Sequence, residues 1–434
     1  MIIVLLFALM FALMGLGLPI ALSIGLPAIG LTLSPGVFPD VVTFTSLGQT
    51  IVQQLFSGVD SFDLLAVPLF MIAGSIMEVG GISRRLIDFC DSLVGWAPGG
   101  LAAAAIVASM IIAGISGSAA ADTAAIGAVV IPAMIRQGYP APFAAAVVAA
   151  GGSIGIIIPP SIPMVIFGFM TNISTSQLFA GGMLVGILLG LSFMVVAVWI
   201  SWRHGYGVRT PFSLAQVLAS GRAAAWSMGA PVVVLGGILS GIVTVTEAAA
   251  LAVFYALLVG VLINRELKWR ELPELIIRSQ VAAGGILFII AMAKIFGWLV
   301  AMQQGAQLLN TFVNSLSLPP FGLLMMMMGL LLLVGCVMET TAALLLLVPV
   351  LAMLTPQMQI DPVHFGVLVV VNLAIGMLTP PVGICLFVSC GIARITLGQV
   401  SVSVMPLVVA SMAVLFIACA WPPLVMWLPT LFYR

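Results

Sequence analysis

The chain has 434 residues, 63% of them apolar and only 6% charged, against about 25% charged in an ordinary soluble domain, which excludes a soluble globular protein. Thirteen Lys and Arg balance thirteen Asp and Glu, and no basic or acidic run exists, which excludes a nucleic-acid surface or a polybasic lipid anchor. At ~20 apolar residues per crossing of a ~30 Å hydrocarbon core, the length makes roughly ten to twelve passes of an all-α polytopic membrane protein. A β-barrel is disfavoured, because the apolar segments are continuous runs rather than ten-residue alternations.

In chain order, Met1 to Leu18 lacks a basic n-region and an A-x-A-like cleavage site, so it is expected to stay as a membrane segment. Apolar segments follow at 1–33, 62–81, 99–134, 141–170 and 176–202, and a second set at 229–264, 279–301, 320–354, 362–392 and 403–428. The stretches 99–134 and 320–354 are too long for one crossing and short for two, and re-entrant hairpins fit them. The stretches 141–170 and 362–392 each carry a Gly and a Pro pair (Gly155, Pro159, Pro160; Gly376, Pro380, Pro381), which break a helix by removing backbone hydrogen bonds. Segments 1–33 and 229–264 are each expected to cross twice, the second turning near Gly236-Gly237 and Gly241. The expected organisation is a first repeat at 1–203, a cytoplasmic linker at 204–228 and a second repeat at 229–434. Five cysteines (Cys90, Cys336, Cys385, Cys390, Cys419) lie in apolar stretches without metal-ligand spacing and read as packing residues.

Arg84, Arg85 and Arg136 flank the first hairpin, whereas no Lys or Arg lies between Lys294 and Arg394. The two hairpins are therefore expected to enter from opposite sides, the first from the cytoplasm. Sequence matches support a duplication. Asp122-Thr123 pairs with Glu339-Thr340 at an offset of 217, Leu69-Phe70 with Leu287-Phe288 at 218, and Gly155 to Pro160 with Gly376 to Pro381 at 221. Five crossings plus one hairpin per unit is an odd number of crossings, so the second copy is inverted. Inverted repeats with broken helices at matching positions mark secondary transporters, whose sites lie near the midplane.

Two constellations could carry chemistry. In the first, Gly114 to Thr123 at the tip of hairpin 1 faces Gly151 to Ser161 of the broken helix. Small residues let backbones approach, freed carbonyls and Ser/Thr hydroxyls make a hard-oxygen cage suited to Na⁺, and Asp122 offsets the ion's charge. The competing reading is close helix packing alone. The second constellation joins Gly335 to Thr341 with Asn372, Gly376 and Thr379 to Gly383. Glu339 among Met325 to Met328 and Leu344 to Leu347 is costly unless it functions, the alternative being a structural hydrogen bond to the hairpin backbone. Glu247 and Lys294 are expected to pair as scaffold glue, with substrate contact by Lys294 the lesser reading. Arg84, Arg85, Asp88 and Asp91 make the polar face of an interfacial helix. Trp202, Trp226, Trp421 and Trp427 fit interfacial anchors. No nucleotide-binding signature is present, so ATP is not the direct driver.

At these residues the sequence resembles the large membrane subunit, or M subunit, of the tripartite ATP-independent periplasmic (TRAP) transporters across nearly the whole chain. The matching runs are Pro68 to Gly74, Ser116 to Ala125, Ile158 to Pro163, Glu339-Thr340 and Thr379 to Gly383. The resemblance implies a Na⁺-coupled importer of organic acids such as a C4-dicarboxylate or a sialic acid, in a bacterial inner membrane. The partners it implies are a separate small four-helix membrane subunit (Q subunit) and a periplasmic substrate-binding protein (P subunit). The implied mechanism is an elevator, in which hairpins and broken helices slide as one body against a scaffold; the charge asymmetry and crossing count place both termini on the periplasmic side. More distantly, the arrangement is similar to sodium/dicarboxylate symporters of the ion-transporter superfamily. Carried over by position, one ion would sit among Ser116, Ser118, Asp122, Thr123, Gly152, Ser153 and Pro159. The other would sit among Cys336, Met338, Glu339, Thr340, Asn372 and Thr379. The acid would be held by Ser116, Ser153, Pro160, Ser161, Thr340 and Pro381, between hairpin tips and breaks. The rivals are a stand-alone Na⁺/dicarboxylate symporter and an intramembrane enzyme. The enzyme would need a Ser–His pair or paired aspartates, whereas His204 and His364 lie far from the Ser-rich tips in sequence.

Overall fold

The computed structural model describes residues 2–34, 37, 44–208 and 212–433. Among the described residues every regular element is helical, as a lipid environment demands of a backbone with no water to bond. The chain opens with α1 (Ile2–Gly15), α2 (Ile20–Thr32) and α3 (Phe44–Ser57), followed by α4 (Ala66–Val79) and α5 (Ile82–Val94). Then come α6 (Gly100–Ser116), α7 (Ala119–Arg136), α8 (Ala141–Ser153), α9 (Ile162–Thr171) and α10 (Thr175–His204). The second half holds α11 (Leu214–Leu239), α12 (Val245–Leu257), α13 (Leu272–Met302), α14 (Gly305–Ser315), α15 (Pro320–Gly335) and α16 (Thr340–Leu351). It closes with α17 (Thr355–Met358), α18 (Pro362–Gly376), α19 (Ile384–Ala393), α20 (Leu397–Ala420) and α21 (Pro423–Phe432).

Six helical stretches are long and apolar enough to cross a bilayer: α7, α10, α11, α12 with its π-helical extension, α13 and α20. Two bent pairs, α4–α5 at 65° and α14–α15 at 113°, qualify as units. At 14 and 13 residues, α1 and α2 are each about 20 Å long, shorter than a ~30 Å core. Residues 2–32 thus hold two short apolar helices where two short crossings were expected. Residues 214–228, taken from the sequence as linker, are helical and form the first half of α11. The turn to α12 falls at Gly241, in the left-handed region at φ +72°.

Caps set where helices begin. Ser118, Ser161, Ser174 and Ser213 each accept a backbone N–H at the first turn of α7, α9, α10 and α11. Asp361 does so for α18, and Thr244 with Glu247 forms a capping box on α12. Hairpin 1 is α6–α7 and hairpin 2 is α15–α16. Hairpin 1 packs on α8 of its own half, and α15 packs on α18 of its own. The second halves of the broken helices cross over: α19 lies against α7 and α8, and α9 lies against α16. Around this body, α13 packs against α2, α3, α4 and α16, while α12 covers α4 and α11 covers α5.

The expected pair of Glu247 and Lys294 does not form. Glu247 accepts the backbone N–H of Thr244 at 2.8 Å and its hydroxyl at 3.0 Å, whereas the Lys294 ammonium lies over the Phe169 ring. The run Thr244 to Glu247 carries the T-x-x-E pattern of a capping box, and that local pairing claims the carboxylate before a distant ammonium can. The polar face of α5 reaches the loop before α13 instead, where Arg85 pairs with Glu266 at 2.6 Å.

Candidate functional site

At the tip of hairpin 1 the chain reverses at Gly117, at φ +66°, a conformation that favours glycine because it has no Cβ. Ser116 donates its hydroxyl to Asp122 Oδ1 and accepts the Ser118 N–H at 3.2 Å. Asp122 is 1% exposed, and its second oxygen, Oδ2, has no hydrogen-bond partner among the described residues. Such an oxygen costs about 1–3 kcal/mol when left unsatisfied. Thr123 donates its hydroxyl to Ala119 O at 2.7 Å.

The broken helix meets this tip closely. A Cβ on Gly155 would collide with the unpartnered Asp122 oxygen, and one on Gly152 would collide with the Thr123 side chain. A Cβ on Gly117 would come to 2.9 Å of Pro160 O, so the carbonyl freed by the break points at the hairpin turn. Ser161 caps α9 and donates to Ile156 O, and Ser153 donates to Ala150 O at 2.8 Å. Pro159–Pro160 and Pro380–Pro381 are both cis. The hairpin tip thus brings the Asp122 carboxylate and the Ser116 hydroxyl together, with the Pro159 and Pro160 carbonyls close to Gly114 and Gly117 of the same turn.

The second tip repeats the plan with different chemistry. Glu339 caps α16, accepting the Ala342 N–H at 3.1 Å and the Thr341 hydroxyl at 2.9 Å. By cap position Glu339 corresponds to Ser118, an offset of 221 that also relates Gly335 to Gly114 and Gly376 to Gly155. The sequence match of Glu339 to Asp122 at 217 is thus one helical turn out of structural register. Thr340 Oγ1 is buried without a partner, as is Asn372 Oδ1, while Asn372 Nδ2 donates to Met328 O at 2.7 Å. Gly376 sits on Gly335, where a Cβ would fall 2.6 Å from the Gly335 Cα. Cys336 O accepts the N–H groups of Val382 and Gly383 at 3.3 and 3.4 Å, tying the tip to the break. Thr379 donates to Ile375 O at 2.7 Å. Met338 packs against the core, and Pro381 belongs to the break.

Both tips look onto one cavity of about 370 Å³. Its wall takes Ser116, Ser118 and Asp122 from hairpin 1, Glu339 and Thr341 from hairpin 2, and Gly74, Ser75 and Glu78 from α4. Ala282, Ile286 and Ile289 of α13 complete it. No Lys or Arg lines the cavity. Of the residues expected to hold the acid, Ser116 lines it, whereas Ser153, Pro160, Ser161, Thr340 and Pro381 do not. The α4 and α13 contributions escaped the constellations read from sequence. A clue was available for Gly74 in the run Pro68 to Gly74, and its Cα faces the tip closely enough that a Cβ would lie 3.3 Å from Ser116 Cα. Neither histidine takes part: His204 sits beside Ile200 O at 3.0 Å and His364 beside Ala418 O at 2.8 Å.

Comparisons agree with this architecture. Residues 7–424 match the family model described as tripartite ATP-independent periplasmic transporter, DctM component. The chain is 38% identical over 411 residues to the isethionate TRAP transporter permease protein DctMQ of Oleidesulfovibrio alaskensis, covering 94% of this chain and 64% of that one. It is also 38% identical over 376 residues to the C4-dicarboxylate TRAP transporter large permease protein DctM of Pseudomonas aeruginosa, covering 87% and 88% of the two chains. Among solved structures, the YdaH transporter of Alcanivorax borkumensis, described as having an unusual topology, superposes with a TM-score of 0.66 at 15% identity over 93% of this chain and 97% of that one. That likeness concerns the fold.

Proposed function

We propose, from the premise that this chain belongs to the tripartite ATP-independent periplasmic transporter family as its DctM component, that it carries an organic acid across the membrane coupled to Na⁺. The chain is a multi-pass transport permease and not an enzyme. The observation that supports Na⁺ coupling is the set of unpartnered buried oxygens at the two tips: Asp122 Oδ2 at the first, Thr340 Oγ1 and Asn372 Oδ1 at the second. Buried polar atoms are nearly always satisfied. Here the missing partner has to accept electron density from carboxylate, hydroxyl and amide oxygens, which is the donor set of a hard cation. Among the described residues no group of three His, Cys, Asp or Glu side chains is placed to hold a transition metal. Ser116, Asp122 and the carbonyls of Pro159 and Pro160 would hold one Na⁺, and Thr340 and Asn372 the other. Thr123, Gly152 and Ser153 would shape the first site; Cys336, Met338, Glu339 and Thr379 would shape the second. The bound cation supplies the positive charge that the cavity wall lacks.

That charge matters to the cargo. Glu78, Asp122 and Glu339 face a cavity without any cationic side chain, so an organic anion alone meets like charge in a poorly solvated space. Two cations at the tips offset two of the three carboxylate charges, and the Ser118 hydroxyl, which accepts the Ala121 N–H, keeps a proton to donate to a carboxylate. Acid and Na⁺ then bind together or not at all, which is the coupling a symporter needs. The hairpins and broken helices form one interlocked body through the α9 and α19 crossovers, suited to sliding against α4 and α13 as an elevator. With the arginine-rich ends cytoplasmic, the end of the cavity lined by Glu78 and Ser83, next to Arg84 and Arg85 in the chain, is its cytoplasmic end. Delivery from the other side would fall to a periplasmic binding protein, with a small membrane subunit bracing the scaffold in the bacterial inner membrane.

The test is uptake of labelled succinate, isethionate and N-acetylneuraminate into proteoliposomes holding the chain and its small subunit, with and without the binding protein. The expected result is uptake that requires both an inward Na⁺ gradient and the binding protein. Na⁺-driven uptake without the binding protein would indicate a stand-alone symporter, and uptake equal in Na⁺ and K⁺ would refute the coupling.

A further inference from the structure

We infer that a second cavity, built around Lys294, is a separate binding station for a small organic anion, lying outward along the same helix from the hairpin-tip cavity. The inference rests on the transport reading above. It is an open-sided cavity of about 280 Å³, with Lys294 exposed at its edge, between Gln54 of α3, Phe169 of α9, Lys294 and Trp298 of α13, and Pro349 of α16. Its walls thus come from the scaffold on one side and from hairpin 2 and the first broken helix on the other. Lys294 makes no ion pair among the described residues, and its Nζ lies 5.9 Å from the centre of the Phe169 ring. An ammonium in an apolar helix is costly unless something in the membrane answers it. A cavity at its head gives room for an anion.

The placement along α13 gives the station its meaning. Ala282, Ile286 and Ile289 line the hairpin-tip cavity, and Ile290, Ala293, Lys294 and Gly297 line the second. Steps of three and four residues carry the line Ala282, Ile286, Ile289 on to Ala293 and Gly297, while Lys294, five residues past Ile289, lies about 140° round the helix from it, so the second cavity is displaced around α13 as well as along it. Ile289 and Lys294 differ by about 7.5 Å of rise. The charge differs between the two: the inner cavity has three carboxylates and no cationic side chain, whereas the outer one has Lys294. An incoming carboxylate or sulfonate is received at Lys294 by direct charge, then passes to a site where Na⁺ supplies the charge instead. Lysine suits the first task, since its ammonium is a point charge that binds without demanding a fixed geometry.

Lysine chemistry provides a direct test, because the chain contains only two lysines, Lys268 and Lys294. In a Lys268→Arg variant of the assembled complex in proteoliposomes, external trinitrobenzenesulfonate is applied and modification of the Lys294 peptide is followed by mass spectrometry. Succinate or isethionate at ten times its Kd should slow the reaction by about tenfold, and chloride at matched ionic strength should not. Lys294→Gln should raise the KM for uptake about tenfold or more at nearly unchanged kcat, and Lys294→Arg should recover most of the loss. An unreactive Lys294, protection by chloride equal to that by the organic anions, or an unchanged KM in Lys294→Gln would each overturn the station. If wild-type complex takes up no acid, the transport reading fails, while protection of Lys294 still reports on this site separately.

Discussion

Replacing Thr340 by valine separates the oxygen of a cation site from the shape of the side chain that carries it. Thr340 is the first residue of α16, 1% exposed, and its hydroxyl has no partner. In the absence of a cation that hydroxyl is an unsatisfied buried group costing about 1–3 kcal/mol. Valine keeps the branched shape and removes the unsatisfied atom, so Thr340→Val should unfold later than wild type in choline buffer. In Na⁺ the order should reverse. A ligand at a hundred times its Kd stabilises by about 2.7 kcal/mol, and losing one ligand oxygen lowers the occupancy that provides this. The assay is thermal unfolding of the detergent-solubilised complex across a Na⁺ series, with K⁺ as the control ion. A variant less stable than wild type in choline, or one with the full wild-type Na⁺ increment, would refute the reasoning that this hydroxyl waits for a cation.

Other outcomes follow from the same geometry. Gly376→Ala places a Cβ 2.6 Å from the Gly335 Cα, an overpacking worth about 1–3 kcal/mol, and should reduce Na⁺-dependent uptake at least fivefold. Gly329→Ala in the same hairpin meets nothing within 4 Å and should leave uptake intact while stabilising the helix by about 0.5–1 kcal/mol; equal behaviour of the two variants in uptake would contradict the paired-glycine contact. Glu339→Ala should cost about 0.5–2 kcal/mol through the lost cap, read as a lower unfolding midpoint, and Glu339→Gln, which keeps an acceptor, should recover most of it. Asp122→Asn keeps an acceptor for Ser116 but loses the charge, and should raise the Na⁺ concentration for half-maximal uptake by about tenfold or more, with membrane insertion unaffected.

Much of the fold was legible because its punctuation is local. The first hairpin, expected at 99–134, is α6–α7 from Gly100 to Arg136, and the breaks expected at the Pro pairs separate α8 from α9 and α18 from α19. Glycine and proline act on their own and adjacent residues, so a single sequence reveals them. The amphipathic helices α3 and α14 went unforeseen, because their lower hydropathy hides them from a search for apolar runs. The segment expected at 403–428 is two helices, parted at Trp421-Pro422. Site residues divide the same way. Asp122, Thr340 and Asn372 were readable as polar groups stranded in apolar segments, and the structure leaves each with an unpartnered atom. The role of Glu339 as a cap was not readable, since its identity with the Asp122 position by sequence concealed the one-turn shift in register. On the cavity face of α4 and α13 only Ser75 and Glu78 are polar, and the small and apolar side chains around them acquire meaning only from what they face.

Equilibrium binding of ²²Na⁺ to the purified complex decides whether each hairpin tip holds its own Na⁺. Wild type should bind at two saturable sites, Asp122→Asn and Thr340→Val should each retain one of high affinity, and the double variant should retain neither. Two undiminished sites in both single variants would contradict the assignment of Asp122 and Thr340 to the ions.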